Sequence, residues 1–321
     1  MSVSLSVVVP VYNERPVLRE LYERLTSVLA AHGDDYEVIL VNDGSRDGTV
    51  ELARELCRQD GKVKMIGLSR NFGHQVALTA GLDAASGRAV VTIDSDLQDP
   101  PEVIPAMVAR WKDGYEVVHG VRRQRKGEGL FRHAAIFLFY RFLRKTANVG
   151  LAVDSGDFRL MDRKVVDALK EMREKNRYIR GMVGWAGFRQ AEVEYVREPR
   201  SAGASKYPFR KLAALAADGI YSFSAFPLWL PMAIGCFCAL AGALLLLGAL
   251  IGRVLAPDPA VPGWVYASLL AIFLGGVQLI AIGVLGQYIR RIYEQTNERP
   301  LYLVAERVNF DPAADDARPG G

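Results

Sequence analysis

The chain has 321 residues, half of them hydrophobic, with 40 Lys and Arg against 36 Asp and Glu for a formal net charge of +4. That length holds one large domain and something more, and three cysteines, Cys57, Cys236 and Cys238, supply neither a disulfide framework nor zinc-ligand spacing. The basic excess has no nucleic-acid recognition motif beside it, so no nucleic-acid partner is expected.

In chain order, short β-branched runs alternate with helical patterns through the first 120 residues. Strands are expected at Leu5–Val11, Tyr36–Asn42, Val63–Leu68, Arg88–Asp94 and Tyr115–Val121, with helices over about 15–31, 48–59, 74–85 and 101–112. Pro16 and Pro101 suit first helical turns, and Asp47 suits the N-cap of the second helix. This alternation predicts a largely parallel, doubly wound sheet covered on both faces. Ligands bind such sheets beyond the carboxyl ends of the strands. Polar clusters fall at those ends: Tyr12-Asn13-Glu14, Asp43-Gly44-Ser45, Ser69-Arg70-Asn71 and Asp94-Ser95-Asp96.

The stretch Asp94-Ser95-Asp96-Leu97-Gln98-Asp99-Pro100-Pro101 follows an apolar strand. Residues at i and i+2 of an extended chain point the same way, so Asp94, Asp96 and Gln98 can face one ligand. Their oxygens are hard ligands suited to Mg²⁺ or Mn²⁺, which complete their shells with water and substrate phosphate. Asp99 is expected instead to cap the helix starting near Pro101. Neither GxGxxG nor GxxxxGK[ST] occurs, and no GxSxG elbow supports acyl chemistry. His74 is read as an ordinary polar or packing residue.

Eight basic residues lie between Gly120 and Ala147 against Glu128 alone. The helical, Phe-rich segment 130–147 suits a helix lying in a membrane interface with its cations among headgroups, as does 208–225. Two uncharged apolar runs follow, Phe226–Gly252 and Trp264–Ile289. Each exceeds the roughly 20 residues that cross a bilayer core. Arg210 and Lys211 before the first run and Arg290 and Arg291 after the second predict that the N-terminal domain and C-terminal tail both face the cytoplasm. No signal peptide is visible. The expected organisation is a catalytic domain over 1–207, a juxtamembrane helix over 208–225, a two-helix hairpin over 226–289 and a cytoplasmic tail over 290–321.

Val-Val-Pro-Val-Tyr-Asn-Glu (8–14), Val-Asn-Asp-Gly-Ser-Arg-Asp-Gly-Thr (41–49) and Asp-Ser-Asp-Leu-Gln-Asp-Pro (94–100) together resemble family 2 glycosyltransferases of the GT-A fold. Ser-Arg-Asn-Phe-Gly-His-Gln (69–75), Ser-Gly-Asp-Phe-Arg-Leu (155–160) and Arg200 with Lys206-Tyr207 are similar to the polyprenyl-phosphate branch, which includes bactoprenol glucosyltransferases and dolichyl-phosphate mannose synthases. The resemblance implies a Rossmann-like, mostly parallel catalytic domain followed by two transmembrane helices. It implies a single, inverting, metal-dependent transfer from a nucleotide-diphosphate sugar, with UDP-glucose or another UDP-sugar favoured, to undecaprenyl or another polyprenyl phosphate in cell-envelope glycan synthesis. Carried over by position, Pro10, Tyr12, Glu14, Val41, Asp43, Asp94, Ser95, Arg122, Arg200 and Lys206 would bind the nucleotide sugar. Asp94, Asp96 and Gln98 would hold Mg²⁺ or Mn²⁺. Arg132, Arg200 and Lys206 would meet the acceptor phosphate, with Asp96 and Asp157 catalytic. Asp157 would act as a base, or position an arginine such as Arg159 or Arg200; a helix cap is the structural alternative. The bacterial relatives suggest a homotetramer in the inner membrane. The Gln-x-x-Arg-Trp motif of processive synthases is absent, the nearest stretch being Arg180-Gly-Met-Val-Gly-Trp185. The competing reading is a non-catalytic membrane scaffold that keeps a nucleotide-sugar fold.

Overall fold

Every residue of the first two strands is buried, as parallel strands covered on both faces require. The computed structural model describes residues 4–33, 35–122, 155–196 and 262–310, with the single positions Ile234, Phe237, Leu240, Leu244 and Leu247. Its elements begin β1 (Leu5–Val11), α1 (Arg15–His32), β2 (Tyr36–Asn42), α2 (Thr49–Gln59), β3 (Val63–Leu68), α3 (His74–Ala84) and β4 (Ala89–Thr92). A 3-10 turn at Pro101–Val103 leads into α4 (Ile104–Lys112) and then β5 (Val117–Arg122). After these come β6 (Ser155–Asp162), α5 (Arg163–Glu171), α6 (Ile179–Ala186), β7 (Gln190–Tyr195), the long α7 (Gly263–Thr296) and β8 (Val304–Val308).

The eight strands form one sheet in the order β7-β5-β6-β4-β1-β2-β3-β8. β1 to β4 run parallel to their neighbours among themselves, while β6 runs against both β4 and β5, and β8 against β3. Because β6 is reversed, its first residues lie at the edge where β4 and β5 end: Arg159 sits opposite Thr92, and Ser155 opposite Val121. Side chains alternate through β1. Val7 and Val9 face α1, α2 and α4 on one side, while Val8 faces α3, α5 and α6 on the other. Chain order reverses at β1 and β4, and the crevice beyond their ends is where such a sheet takes a ligand.

The two layers meet closely at Gly81 on α3, where a Cβ would come within 2.2 Å of Val8 Cγ1 and 3.0 Å of Val41 Cγ2. Both valines are fully buried and cannot retreat. Gly81→Ala is therefore expected to lower unfolding stability by about 1–3 kcal/mol, the usual overpacking range. Denaturant titration checks this, and an unchanged midpoint would refute it.

Three expectations are corrected. Helix 101–112 opens as a 3-10 turn whose first residues have no side-chain cap, because Asp99 is engaged elsewhere. The cap of α2 is Gly48, with Asp47 one residue earlier accepting from Thr49 N–H at 3.1 Å. Third, residues 290–321 are not simply a tail. α7 continues to Thr296, and β8 joins the sheet edge, fastened by Arg54 Nη2 to Glu306 Oε2 at 2.7 Å and Asn309 Nδ2 to Val63 O at 2.7 Å. The strand escapes sequence reading because an edge strand such as Val-Ala-Glu-Arg-Val carries no continuous apolar run.

Within α7, Phe273–Thr296 is long and apolar enough to cross a membrane, with mean hydropathy 1.3 and none of that window buried; it is the one such helix among the described residues. Of the first apolar run, Ile234, Phe237, Leu240, Leu244 and Leu247 are helical and exposed. Segments 130–147, 208–225 and 311–321, and the rest of that run, lie outside the described residues, as do Arg132, Arg200 and Lys206.

Candidate active site

The polar clusters predicted at the strand ends converge beyond β1, β2, β4 and the start of β6. Asp43, 3 % exposed at the end of β2, accepts from the backbone N–H groups of Phe72 at 2.7 Å and Gly73 at 3.0 Å. Burial raises its carboxyl above the ordinary range, opposed by those two bonds. The bonds fold the segment after β3 over the end of β2. Gly44, at φ 72°, makes this possible, since a Cβ there would come within 2.7 Å of both Arg70 C and Asn71 N. The folded segment delivers His74 to the start of α3, at the mouth of the crevice.

From Asp94 to Asp99 burial alternates: Asp94, Asp96 and Gln98 are partly open, while Ser95, Leu97 and Asp99 are buried. The turn includes Leu97 in the left-handed region at φ 58°, a conformation costly for a branched side chain and concentrated at functional sites. Asp96 Oδ1 accepts from Gln98 N–H at 3.2 Å. Asp94 Oδ1 is buried, accepts no hydrogen bond and meets His74 Nε2 at 3.4 Å. Burial, against His74 and together with Asp157, Asp99 and Asp96, raises its carboxyl to about 6. A buried carboxylate oxygen with no donor, crowded by other acids, fits a divalent cation. Among the described residues no three His, Cys, Asp or Glu side chains converge as a metal set. Two carboxylates and an amide match a site that phosphate oxygens would complete.

Asp157 lies across from Asp94 and is held from four sides. Arg180 donates Nε to Oδ1 at 3.0 Å and Nη2 to Oδ2 at 3.2 Å. Gln75 Nε2 donates to Oδ2 at 3.2 Å, Arg159 Nη2 approaches Oδ1 at 3.4 Å, and His74 Nε2 stands 3.2 Å from Oδ2. Thr92 Oγ1 donates to the Asp157 carbonyl. Burial alone would raise this carboxyl, yet Arg180, His74 and Arg159 hold it well below the usual carboxylate range. Against the lowering effect of burial, Asp94 and Asp157 raise the His74 imidazole to about 9. Asp157 is thus a firmly ionised, immobilised carboxylate and a poor proton acceptor at neutral pH.

Arg159 is 1 % exposed, and its Nη1 has no partner. Opposite it on β5, His119 bonds Gln190 Oε1 at 2.9 Å and is lowered by burial and by Arg159 to about 4. The unfolded imidazole titrates near 6.5, so between about 4 and 6.5 the unfolded chain binds the extra proton and stability rises with pH. His119→Gln is expected to flatten that rise by on the order of 3 kcal/mol between pH 4 and 7. Unfolding curves for wild type and variant across that range check it; a pH-independent difference between them would count against it.

Arg122, the last residue of β5, donates Nε to Tyr195 Oη at 3.1 Å and Nη2 to Asp99 Oδ1 at 3.3 Å. The Tyr195 hydroxyl also donates to Asp99, which is fully buried. Asp99 therefore anchors an arginine and a tyrosine where a helix cap was expected. Of the remaining expected ligand residues, Tyr12 is 41 % exposed beyond β1 and Glu14 half-buried. Pro10 and Val41 face each other in the β1–β2 register, and the Val41 side chain is core beneath α3. Ser95 is buried beside the acidic turn. Arg180 and Trp185, of the stretch nearest to the absent processive motif, lie on α6, with Arg180 in the site and Trp185 67 % exposed.

His74, Gln75, Arg180 and Tyr195 are the residues sequence reading missed. The first two stand in the 69–75 stretch that carries the resemblance and Arg180 in the stretch nearest the processive motif, while Tyr195 carried no local signal.

Residues 6–170 match the family model described as "Glycosyl transferase family 2". The protein named "Uncharacterized glycosyltransferase YkcC" from Bacillus subtilis is 46% identical over 96% of this chain and 95% of its own. The "Bactoprenol glucosyl transferase" of Shigella phage SfX is 40% identical over 94% of this chain and 99% of its own. The "Prophage bactoprenol glucosyl transferase homolog" of Escherichia coli is likewise 40% identical, over 94% and 98%.

Proposed function

The chain belongs to glycosyl transferase family 2 and is a glycosyltransferase, and on that premise we propose that it moves one sugar from a UDP-sugar to a polyprenyl phosphate at a membrane surface. The carrying observation is the pairing of the acidic turn Asp94 to Gln98, in which Asp94 Oδ1 is buried and accepts no hydrogen bond, with the clamped Asp157 at the sheet's switch point. Support for the acceptor comes from relatives whose names specify bactoprenol. Support for the membrane comes from α7, whose apolar surface is exposed. The scaffold alternative leaves unexplained why the Asp94 carboxyl is buried among three other acids, Asp96, Asp99 and Asp157, at a cost to stability.

In this reading the nucleoside lies over the ends of β1 and β2, near Tyr12 and the loop that Asp43 ties down. Asp94, Asp96 and Gln98 would hold Mg²⁺ or Mn²⁺, which when bound would neutralise the diphosphate and the charge developing on the leaving oxygen. The acceptor phosphate has a second pKa of about 6 and is already largely dianionic at neutral pH, so a strong general base is unnecessary. The task left to the protein is to bring two anions together. Arg122, anchored by Asp99 and Tyr195, and Arg180, anchored by Asp157, supply fixed positive charge, joined by Arg132, Arg200 and Lys206. Asp157 then orients cations instead of accepting a proton. The enzyme sits in the cytoplasmic membrane through a helical hairpin, with its catalytic domain in the cytoplasm.

The test is a transfer assay with the full chain in detergent, undecaprenyl phosphate, Mg²⁺ or Mn²⁺, and a panel of UDP-, GDP- and dTDP-sugars. A lipid-linked product from a UDP-sugar, abolished by EDTA, is the expected result. Product without added metal would remove the cation from the mechanism, and metal-dependent nucleotide binding with no transfer to any lipid phosphate would overturn the acceptor.

A further inference from the structure

Two arms grip Asp157 from opposite sides, and both lead back to the end of the apolar helix. The first arm is the connection between α5 and α6. Gln295, in the last turn of α7, accepts from Lys175 N–H at 3.0 Å and donates to Arg173 O at 3.3 Å. Beside it, Asn176 Nδ2 donates to Glu294 Oε2 at 3.1 Å, and Lys175 Nζ donates to Arg299 O. The connection is stiff, because Arg177, 8 % exposed, bonds the carbonyls of Leu169 and Met172. It enters α6 with Ile179 N–H on Gln75 Oε1 at 2.9 Å, and the next residue is Arg180.

The second arm is the segment from β3 to α3. Its first residue, Ser69, donates N–H to Leu303 O at 2.9 Å, a few residues beyond the end of α7 at Thr296. Each tether lies five positions before a side chain that grips Asp157: Ser69 before His74, and Lys175 before Arg180. One buried carboxylate, Asp83, joins the arms by accepting from Arg173 Nη1 at 2.8 Å and Tyr302 Oη at 2.9 Å.

We propose that this junction is a strap coupling the orientation of the apolar helix to the Asp157 clamp, with Asn176, Gln295 and Asp83 as positioning residues for the transfer. The inference rests on the transferase reading above. A helix held by lipid would then set the spacing of Arg180 and His74 about the carboxylate, and the clamp would be fully assembled only when the helix end is docked. The bonds of Asn176 and Gln295 belong to the first arm, which reaches Asp157 through Arg180 without passing the loop beside the donor, so loosening them acts on turnover.

The experiment uses the full chain in detergent with UDP-glucose, or the UDP-sugar found active, and undecaprenyl phosphate. The double variant Asn176→Ala/Gln295→Ala, at one half-buried and one exposed position, is expected to lower kcat about tenfold or more with donor KM unchanged, since small misplacements near reacting groups cost that much. On an Arg180→Ala background the same double variant should cost nothing further, because the element it positions is gone. Asp83→Asn, which keeps the shape of the joint, should reproduce the kcat loss and its dependence on Arg180. Wild-type kcat in the double variant, a parallel rise in donor KM, or an undiminished loss on the Arg180→Ala background would each overturn the strap. A wild-type chain that transfers no sugar to lipid would instead overturn the transferase reading, and the strap with it.

Discussion

Asp157→Asn is expected to lower kcat by about two to three orders of magnitude, the usual cost of removing a fixed charge that organises a reacting centre. The amide matches the carboxylate in size but cannot accept two bonds from Arg180 while also meeting Gln75 and His74. It also leaves Arg159, 1 % exposed, beside a neutral group. Breaking a buried pair from one side costs roughly 3–5 kcal/mol, so stability should fall with activity. If Asp157 orients cations, Asp157→Glu should recover little, because a longer carboxylate misplaces Arg180. Single-turnover transfer and denaturant unfolding of the three forms check this. An Asn variant within about threefold of wild-type kcat would exclude Asp157 from the chemistry.

Asp94→Asn is expected to move stability and activity in opposite directions. In the metal-free chain the Asp94 carboxyl is raised from 3.8 to about 6, chiefly by burial. The unfolded carboxyl therefore releases its proton first, deprotonation favours unfolding, and stability is lost as pH rises from about 4 to 6. An amide has nothing to ionise. Above pH 6 the metal-free variant should be more stable than wild type by on the order of 1–3 kcal/mol. The same change removes a cation ligand, so Mg²⁺- or Mn²⁺-dependent UDP binding should weaken at least about a hundredfold. Calorimetric titration of UDP with and without metal, beside thermal unfolding in EDTA, reads both. A variant less stable than wild type in EDTA would show that Asp94 is structural.

What could be read from sequence was local. β1, β2 and β3 match their expected bounds because each is a mainly apolar run, interrupted near its start only by Ser6, Glu37 or Lys64, as a strand buried on both faces tends to look. Asp94, Asp96 and Gln98 are each more open than the residues between them, but this alternation runs through a turn at Leu97 beyond the end of β4 and not through the extended chain that the sequence suggested. The clamp is different in kind. His74 is 83 residues from Asp157, and Arg180 is 23 residues from it on another helix, so neither spacing carries a period. β6 was hidden for a related reason. Ser-Gly-Asp-Phe-Arg-Leu-Met-Asp spends two buried positions on the charged Asp157 and Arg159, and it therefore lacks the apolar pattern of its neighbours. The Asp99–Tyr195 contact joins residues 96 positions apart, which is why Asp99 read as a cap.

The pairing of β8 with β3 carries a consequence of parity. Residues up to 196 and residues from 304 belong to one sheet, so they lie on one side of any bilayer. A chain that leaves that sheet and returns to it can cross a membrane only an even number of times. Were α7 to cross a bilayer directly before the return, a second crossing would be required between residues 197 and 262, where the run Phe226–Gly252 stands. Deleting that run alone would strand β8 on the far face, away from Arg54 and Ser69, and the sheet would lose its edge strand.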